Sequence, residues 1–205
     1  MTTRIKICGI TNLADARLAV DLGADALGFI FYRPSQRSVT PSLAAEICAA
    51  LPPFVAKVGV FVNESAARIQ QVVTECRLDA IQLHGEELPA FCRSWPVKVI
   101  KAIRVRDADS LRAAAEYDVD ALLLDTYTAE QRGGTGQAFD WALARQAKTL
   151  VRPPLILSGG LTPENVGGAI RQVAPFAVDV ASGVEAEPGR KDPEKLRRFF
   201  EAVRA

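Results

Sequence analysis

Strand-like and helix-like segments alternate along the 205 residues, and this predicts an α/β fold: a (β/α)8 TIM barrel in one compact domain, residues 1–205. Three observations carry the prediction. Eight short β-branched or aliphatic runs are present, stretches with helical spacing separate them, and each βα unit averages about 26 residues, a compact version of such a barrel. The rival is an open doubly wound sheet, which usually opens on a G-x-G-x-x-G turn. Here the first strand ends in Cys8-Gly9-Ile10-Thr11, which favours the barrel.

The first strand is Arg4–Ile7, followed by a helix over Leu13–Leu22 and a second strand over Ala26–Phe31. Thr40-Pro41 reads as an N-cap and first helical residue, because proline lacks an N–H that the first turn would leave unpaired anyway; it opens a helix over Ser42–Ala50. Strand Val55–Val62, helix Ser65–Cys76 and strand Ala80–Leu83 come next. The fifth strand, Val97–Ile103, precedes a helix over Leu111–Tyr117, and the sixth, Ala121–Asp125, precedes one over Trp141–Ala147. Strand Leu155–Ser158 leads through Thr162-Pro163 into a helix over Glu164–Val173. Strand Val178–Ala181 leads through Asp192-Pro193 into a helix over Glu194–Val203. Asp25-Ala26, Asp79-Ala80 and Asp120-Ala121 each stand just before an apolar strand. Aspartate as punctuation of helix-to-strand turns explains this echo better than an ancestral repeat, and it marks the bottom of the barrel, where residues serve stability.

Composition narrows the function. Apolar residues make up 49% and charged residues 24%, ordinary for a globular chain. Lys plus Arg is 25 against 24 Asp plus Glu, so no net field draws nucleic acid. No apolar run reaches the roughly 18 residues of a membrane span, and Met1–Lys6 lacks a signal peptide's apolar stretch. The expectation is a cytoplasmic protein, monomer or homodimer, that engages neither nucleic acid nor membrane. The four cysteines form no C-x-x-C and read as thiols, and His84 is the only histidine, so zinc ribbons, H-E-x-x-H and multi-histidine cages have no foothold. Chemistry without a metal or cofactor is expected.

In a parallel barrel the active site lies at the C-terminal ends of the strands. Cys8 ends the first strand on the same face as Lys6, whose ammonium favours thiolate if that face is the interior; the alternative is a buried, inert thiol, the reading for Cys48, Cys76 and Cys92 in helical stretches. Asp125, after four apolar residues, is either a turn residue or a site acid whose pKa burial raises. The glycine-rich segment after it, with Gly133-Gly134-Thr135-Gly136, is long enough for an active-site cover. Arg37 is either a clamp for a substrate carboxylate or a solvated loop residue. For His84 a binding or structural role is preferred to that of a base. Gly159-Gly160 and Ser182-Gly183 close strands seven and eight, where glycines let the backbone approach a phosphate.

These segments together resemble the phosphoribosylanthranilate isomerase family of tryptophan biosynthesis. The matching stretches include Lys6-Ile7-Cys8-Gly9-Ile10-Thr11, Val58-Gly59-Val60-Phe61-Val62-Asn63, Gln82-Leu83-His84-Gly85 and Leu124-Asp125-Thr126. Gly133-Gly134-Thr135-Gly136 with Phe139-Asp140-Trp141, Ser158-Gly159-Gly160-Leu161, Ser182-Gly183-Val184-Glu185 and Gly189-Arg190-Lys191-Asp192 complete the series. One departure is visible, Gln36 where the family commonly has proline. The resemblance implies a phosphoribosyl substrate and an Amadori rearrangement of N-(5′-phosphoribosyl)anthranilate to 1-(2-carboxyphenylamino)-1-deoxyribulose 5-phosphate. It further implies Cys8 as general base, Asp125 as general acid, Arg37 at the anthranilate, and the glycine turns at the phosphate. Another phosphosugar isomerase, or a barrel that only binds a phosphorylated metabolite, are the rivals.

Overall fold

A computed structural model describes residues 2–105, 107–126 and 141–205. Eight parallel strands close a barrel in sequential order: β1 (Arg4–Cys8), β2 (Ala26–Ile30), β3 (Ala56–Phe61), β4 (Ala80–Leu83), β5 (Lys98–Val105), β6 (Ala121–Thr126), β7 (Leu155–Leu157) and β8 (Ala177–Val180). β8 returns to β1 with Lys6 opposite Asp179, and β1 meets β2 with Cys8 opposite Gly28. The helices are α1 (Leu13–Asp21), α2 (Pro41–Ala49), α3 (Ala66–Cys76), α4 (Ala108–Ala114), α5 (Trp141–Leu150), α6 (Val166–Val173) and α7 (Pro193–Arg204). The barrel and its strand count are those predicted from sequence. Only a 3-10 turn, Pro89–Cys92, joins β4 to β5, so Cys92 is not in an α-helix. A short hairpin, β9 (Glu185–Glu187) with β10 (Arg190–Lys191), was not anticipated.

Caps set several boundaries. The Thr40 side chain accepts from Leu43 N and Pro41 opens α2; Asp192 accepts from Glu194 N and Lys195 N and Pro193 opens α7. At Thr162-Pro163 the outcome differs. Asn165 accepts from Thr162 N and donates to Gly160 O, so residues 162–165 form a turn and α6 starts only at Val166.

Period-two alternation splits the core. Val58, Ala80, Ile100, Ala102, Ala121, Leu123, Ile156 and Ala177 form one cluster, while Ile5, Ile7, Leu27, Phe29, Phe61, Leu122 and Leu124 pack with the helices in a second. The three Asp-Ala repeats prove to be one device. Asp25, Asp79 and Asp120 accept from the backbone N–H of Ile5, Lys57 and Val99 at 2.8 Å each. Their own N–H groups donate back to the carbonyls of those same residues. A basic side chain completes each brace: Arg4 with Asp25, Lys57 with Asp79, Lys98 with Asp120.

Candidate active site

A cleft of about 420 Å3 opens at the C-terminal ends of the strands. It is lined by Cys8, Arg37, His84, Asp125, Gly159, Gly160, Ser182 and Gly183, so every site residue read from the sequence meets in one place. Gln82, Arg104, Ser158 and Asp179 line it as well. Residues 133–136 lie outside the described residues, as do Phe139 and Asp140.

Cys8 is buried on the inner face of β1, and Gly28 makes room for it. A Cβ at position 28 would fall 2.7 Å from Cys8 Sγ and 3.1 Å from Lys6 Nζ. Lys6 does face the interior, but it donates to Asp179 Oδ1 at 2.7 Å, and Ser158 Oγ donates to Asp179 Oδ2 at 3.2 Å. The expected shift of the thiol is therefore corrected. Burial pushes Cys8 up, Lys6 and Lys191 draw it down, Asp179 pushes it up again, and the balance lies above the ordinary thiol value. For Lys6, burial works downward but Asp179 and Cys8 outweigh it, so the ammonium is retained. Burial also pushes Cys48 to about 12 and Cys76 and Cys92 to about 11, which fits inert thiols.

Arg37 is no solvated loop residue. Its Nε lies 2.9 and 3.0 Å from the two Glu185 oxygens, and Nη2 donates to Oε2 at 2.6 Å. Gly9, at φ +74°, lets it pass, since a Cβ there would meet Arg37 Cδ at 2.8 Å. Glu185 is held in turn by Lys191 at 3.0 Å, and Lys191 Nζ also donates to Cys8 O at 2.7 Å and Ala181 O at 3.1 Å. Burial alone would raise the Glu185 carboxyl, but Arg37 and Lys191 bring it below the usual carboxylate range. Together Gly9, Glu185 and Lys191 aim the guanidinium and tie it to the backbone of the thiol.

Asp125 is the penultimate residue of β6 and His84 follows β4. His84 Nε2 lies 3.1 Å from Asp125 Oδ2, and Gln82 Nε2 lies 2.8 Å from His84 Nδ1. The loop beyond His84 is pinned from below. Buried Lys101 donates to Leu83 O, Gly85 O and Glu87 Oε2, and Glu87 accepts from Asn63 N and Gly85 N. Burial works upward on Glu87, yet Lys101 and the backbone N–H groups of Asn63 and of Glu87 itself hold its carboxyl below the usual range.

At the other wall Gly159 and Gly160 adopt φ +83° and +63°, and a Cβ on Gly160 would meet nothing within 4 Å. At Gly183 a Cβ would fall 1.9 Å from Leu161 O, so glycine is what lets the two turns approach. The sequence reading missed roles for Gln82, Asp179, Glu185 and Lys191. The signal for the first two was available: a polar residue interrupting an apolar strand at an inward position. Glu185 and Lys191 act through a hairpin that no periodicity announces.

Comparison with known proteins agrees over the whole fold. The family model described as N-(5'phosphoribosyl)anthranilate (PRA) isomerase matches residues 5–202. The N-(5'-phosphoribosyl)anthranilate isomerase of Pelobacter propionicus is 54% identical over 197 residues, 96% of this chain and 93% of that one. The crystal structure of the Thermotoga maritima phosphoribosyl anthranilate isomerase superimposes with a TM-score of 0.91 at 47% identity, covering 98% of both chains. A phosphoribosyl anthranilate isomerase in complex with reduced 1-(o-carboxyphenylamino)-1-deoxyribulose 5-phosphate gives 0.88 at 45% identity, again over 98% of both. With the barrel and nearly the full chain in common, this protein belongs to the N-(5'-phosphoribosyl)anthranilate isomerase family.

Proposed function

We propose that this protein is the isomerase that converts N-(5′-phosphoribosyl)anthranilate into 1-(2-carboxyphenylamino)-1-deoxyribulose 5-phosphate by general acid–base catalysis. The observation that carries the reading is a buried thiol and a pocket-facing carboxyl on strands three apart around the barrel, with one cleft between them. Asp125 gives its proton to the furanose ring oxygen, the bond from that oxygen to C1 breaks, and the anthranilate nitrogen supplies the pair that forms a protonated imine. Cys8, as thiolate, takes the C2 proton acidified by that imine. The resulting enolamine moves its hydroxyl proton to C1 and becomes the ketone. Solvent exchange then restores the Asp125 proton and removes the one on Cys8. No electron leaves the substrate, so the chemistry asks for neither redox cofactor nor metal.

Binding divides between the walls. The turns at Gly159-Gly160 and Ser182-Gly183 suit the 5′-phosphate: the positive-φ residues Gly159 and Gly160 bring N–H groups close to an anion, and the 3-10 turn Ser182–Val184 opens on the same cleft. Arg37 keeps donors beyond those given to Glu185, enough for the anthranilate carboxylate. His84 serves as a partner of Asp125. The test is to add the purified protein to freshly made phosphoribosylanthranilate and follow its anthranilate fluorescence. A protein-dependent, saturable loss is expected. A signal that decays only at the spontaneous rate refutes the assignment.

A further inference from the structure

Gln82, His84 and Asp125 form a line from the buried wall of the barrel to its mouth. Gln82 is 1% exposed, its Nε2 lies 2.8 Å from His84 Nδ1, and His84 Nε2 lies 3.1 Å from Asp125 Oδ2. An amide N–H can only donate, so Nδ1 accepts through its lone pair, and a neutral imidazole with Nδ1 bare carries its proton on Nε2. That N–H points at Asp125.

The arrangement leaves a mark. Gln82 Oε1 is buried with no hydrogen-bond partner, alone in this among the buried side-chain polar atoms of the described residues. Turning the amide over would set this oxygen on Nδ1, which would then have to carry the proton. Nε2 would face Asp125 with a lone pair, which the protonated acid satisfies but the carboxylate left after proton release does not. A buried oxygen without a partner costs free energy and calls for a reason. Keeping the His84 proton on Nε2 supplies one.

We propose that Gln82 is a positioning residue that fixes the His84 tautomer, so that Nε2–H donates to Asp125 Oδ2 and steadies the carboxylate that appears as Asp125 releases its proton. The inference rests on the reading of Asp125 as the acid. With Oδ2 taken, Oδ1 is the oxygen that gives the proton to substrate; Nε2–H is neither made nor broken. The Lys101–Glu87 pair beneath the loop holds the ring in place for this role.

The chain has a single histidine, so the protein reports on the question directly. A long-range 1H–15N correlation spectrum of 15N-labelled protein contains one imidazole, and it is expected to show a protonated Nε2 and a bare Nδ1. Gln82→Met, close in volume, removes the donor and is expected to give an averaged mixture of tautomers; Gln82→Glu places an acceptor there and is expected to protonate Nδ1. Both variants are expected to lose about tenfold or more in kcat, with KM within about twofold. A protonated Nδ1 in the unaltered protein, an unchanged His84 signature in both variants, or a rise in KM at constant kcat would each overturn the proposal. The spectrum of the unaltered protein decides even if a variant fails to fold. Absence of turnover in that protein, beside an intact Nε2–H signature, refutes the functional reading and leaves the tautomer assignment standing.

Discussion

At Cys8 the surroundings oppose the charge that a base must carry. Burial and Asp179 favour the thiol; Lys6 and Lys191 favour the thiolate, and the first pair prevails. Turnover is thus expected to climb with pH, its ascending limb centred above the value of about 8.5 for an ordinary thiol. A kcat/KM profile flat from pH 7 to 10 would remove Cys8 from the role of base. On the proposed mechanism Cys8→Ser and Asp125→Asn each delete a proton carrier and leave the proposed phosphate and anthranilate contacts intact, so each should lose about 10²–10⁴-fold in kcat while still binding a product analogue. Cys48→Ser, Cys76→Ser and Cys92→Ser should keep turnover near normal in the same assay. Cys8 and Asp125 were legible in the sequence because strand ends in a barrel are where chemistry gathers. The Lys6 partner was not, because Asp179 lies 173 residues away and only closure of the barrel brings the two together.

Each helix-to-strand junction braced by Asp25, Asp79 or Asp120 ties a strand start to its neighbour. The sequence reading assigned these residues to turns and to stability, and the hydrogen bonds to Ile5, Lys57 and Val99 give that assignment its mechanism. Asp25→Ala, Asp79→Ala and Asp120→Ala should each cost about 1–3 kcal/mol in urea denaturation by leaving a strand N–H unpaired, with kcat unchanged. A drop in kcat at equal stability would mean that the bottom of the barrel does more than support it. Between β4 and β5 the usual α-helix is missing, and Lys101 fills the gap with an ammonium bonded to two carbonyls and a carboxylate. Its side chain is 2% exposed and that of Glu87 is 4%. Lys101→Met, which leaves Glu87 buried without its charge partner, is expected to cost about 3–5 kcal/mol. A polar cluster of this kind escapes hydrophobic periodicity, which registers Lys101 only as an interruption.

Across the whole molecule, acid is expected to act through two of these carboxyls. Glu87 and Glu185 titrate lower in the folded protein than in the unfolded chain. Their stabilisation is therefore complete above the unfolded value near 4.3 and disappears as pH falls through the folded values. Urea midpoints measured from pH 7 down to 3 should fall steeply below about pH 4, and Glu87→Gln should flatten that slope. The barrel itself was readable from end to end, since eight apolar runs and their caps repeat a local rule. The hairpin at β9 and β10 was not, because its residues are polar and their partners lie at the far end of the chain. Lys191 reaches the carbonyl of Cys8 across 183 residues, its N–H meets Asp15, and Thr11 donates to Gly189 O. On the ribosome Cys8 is made 183 residues ahead of Lys191, yet the backbone behind that thiol stays unfastened until the hairpin emerges. Activity in a nascent polypeptide must then arrive late and all together, as the final hairpin clasps the first loop.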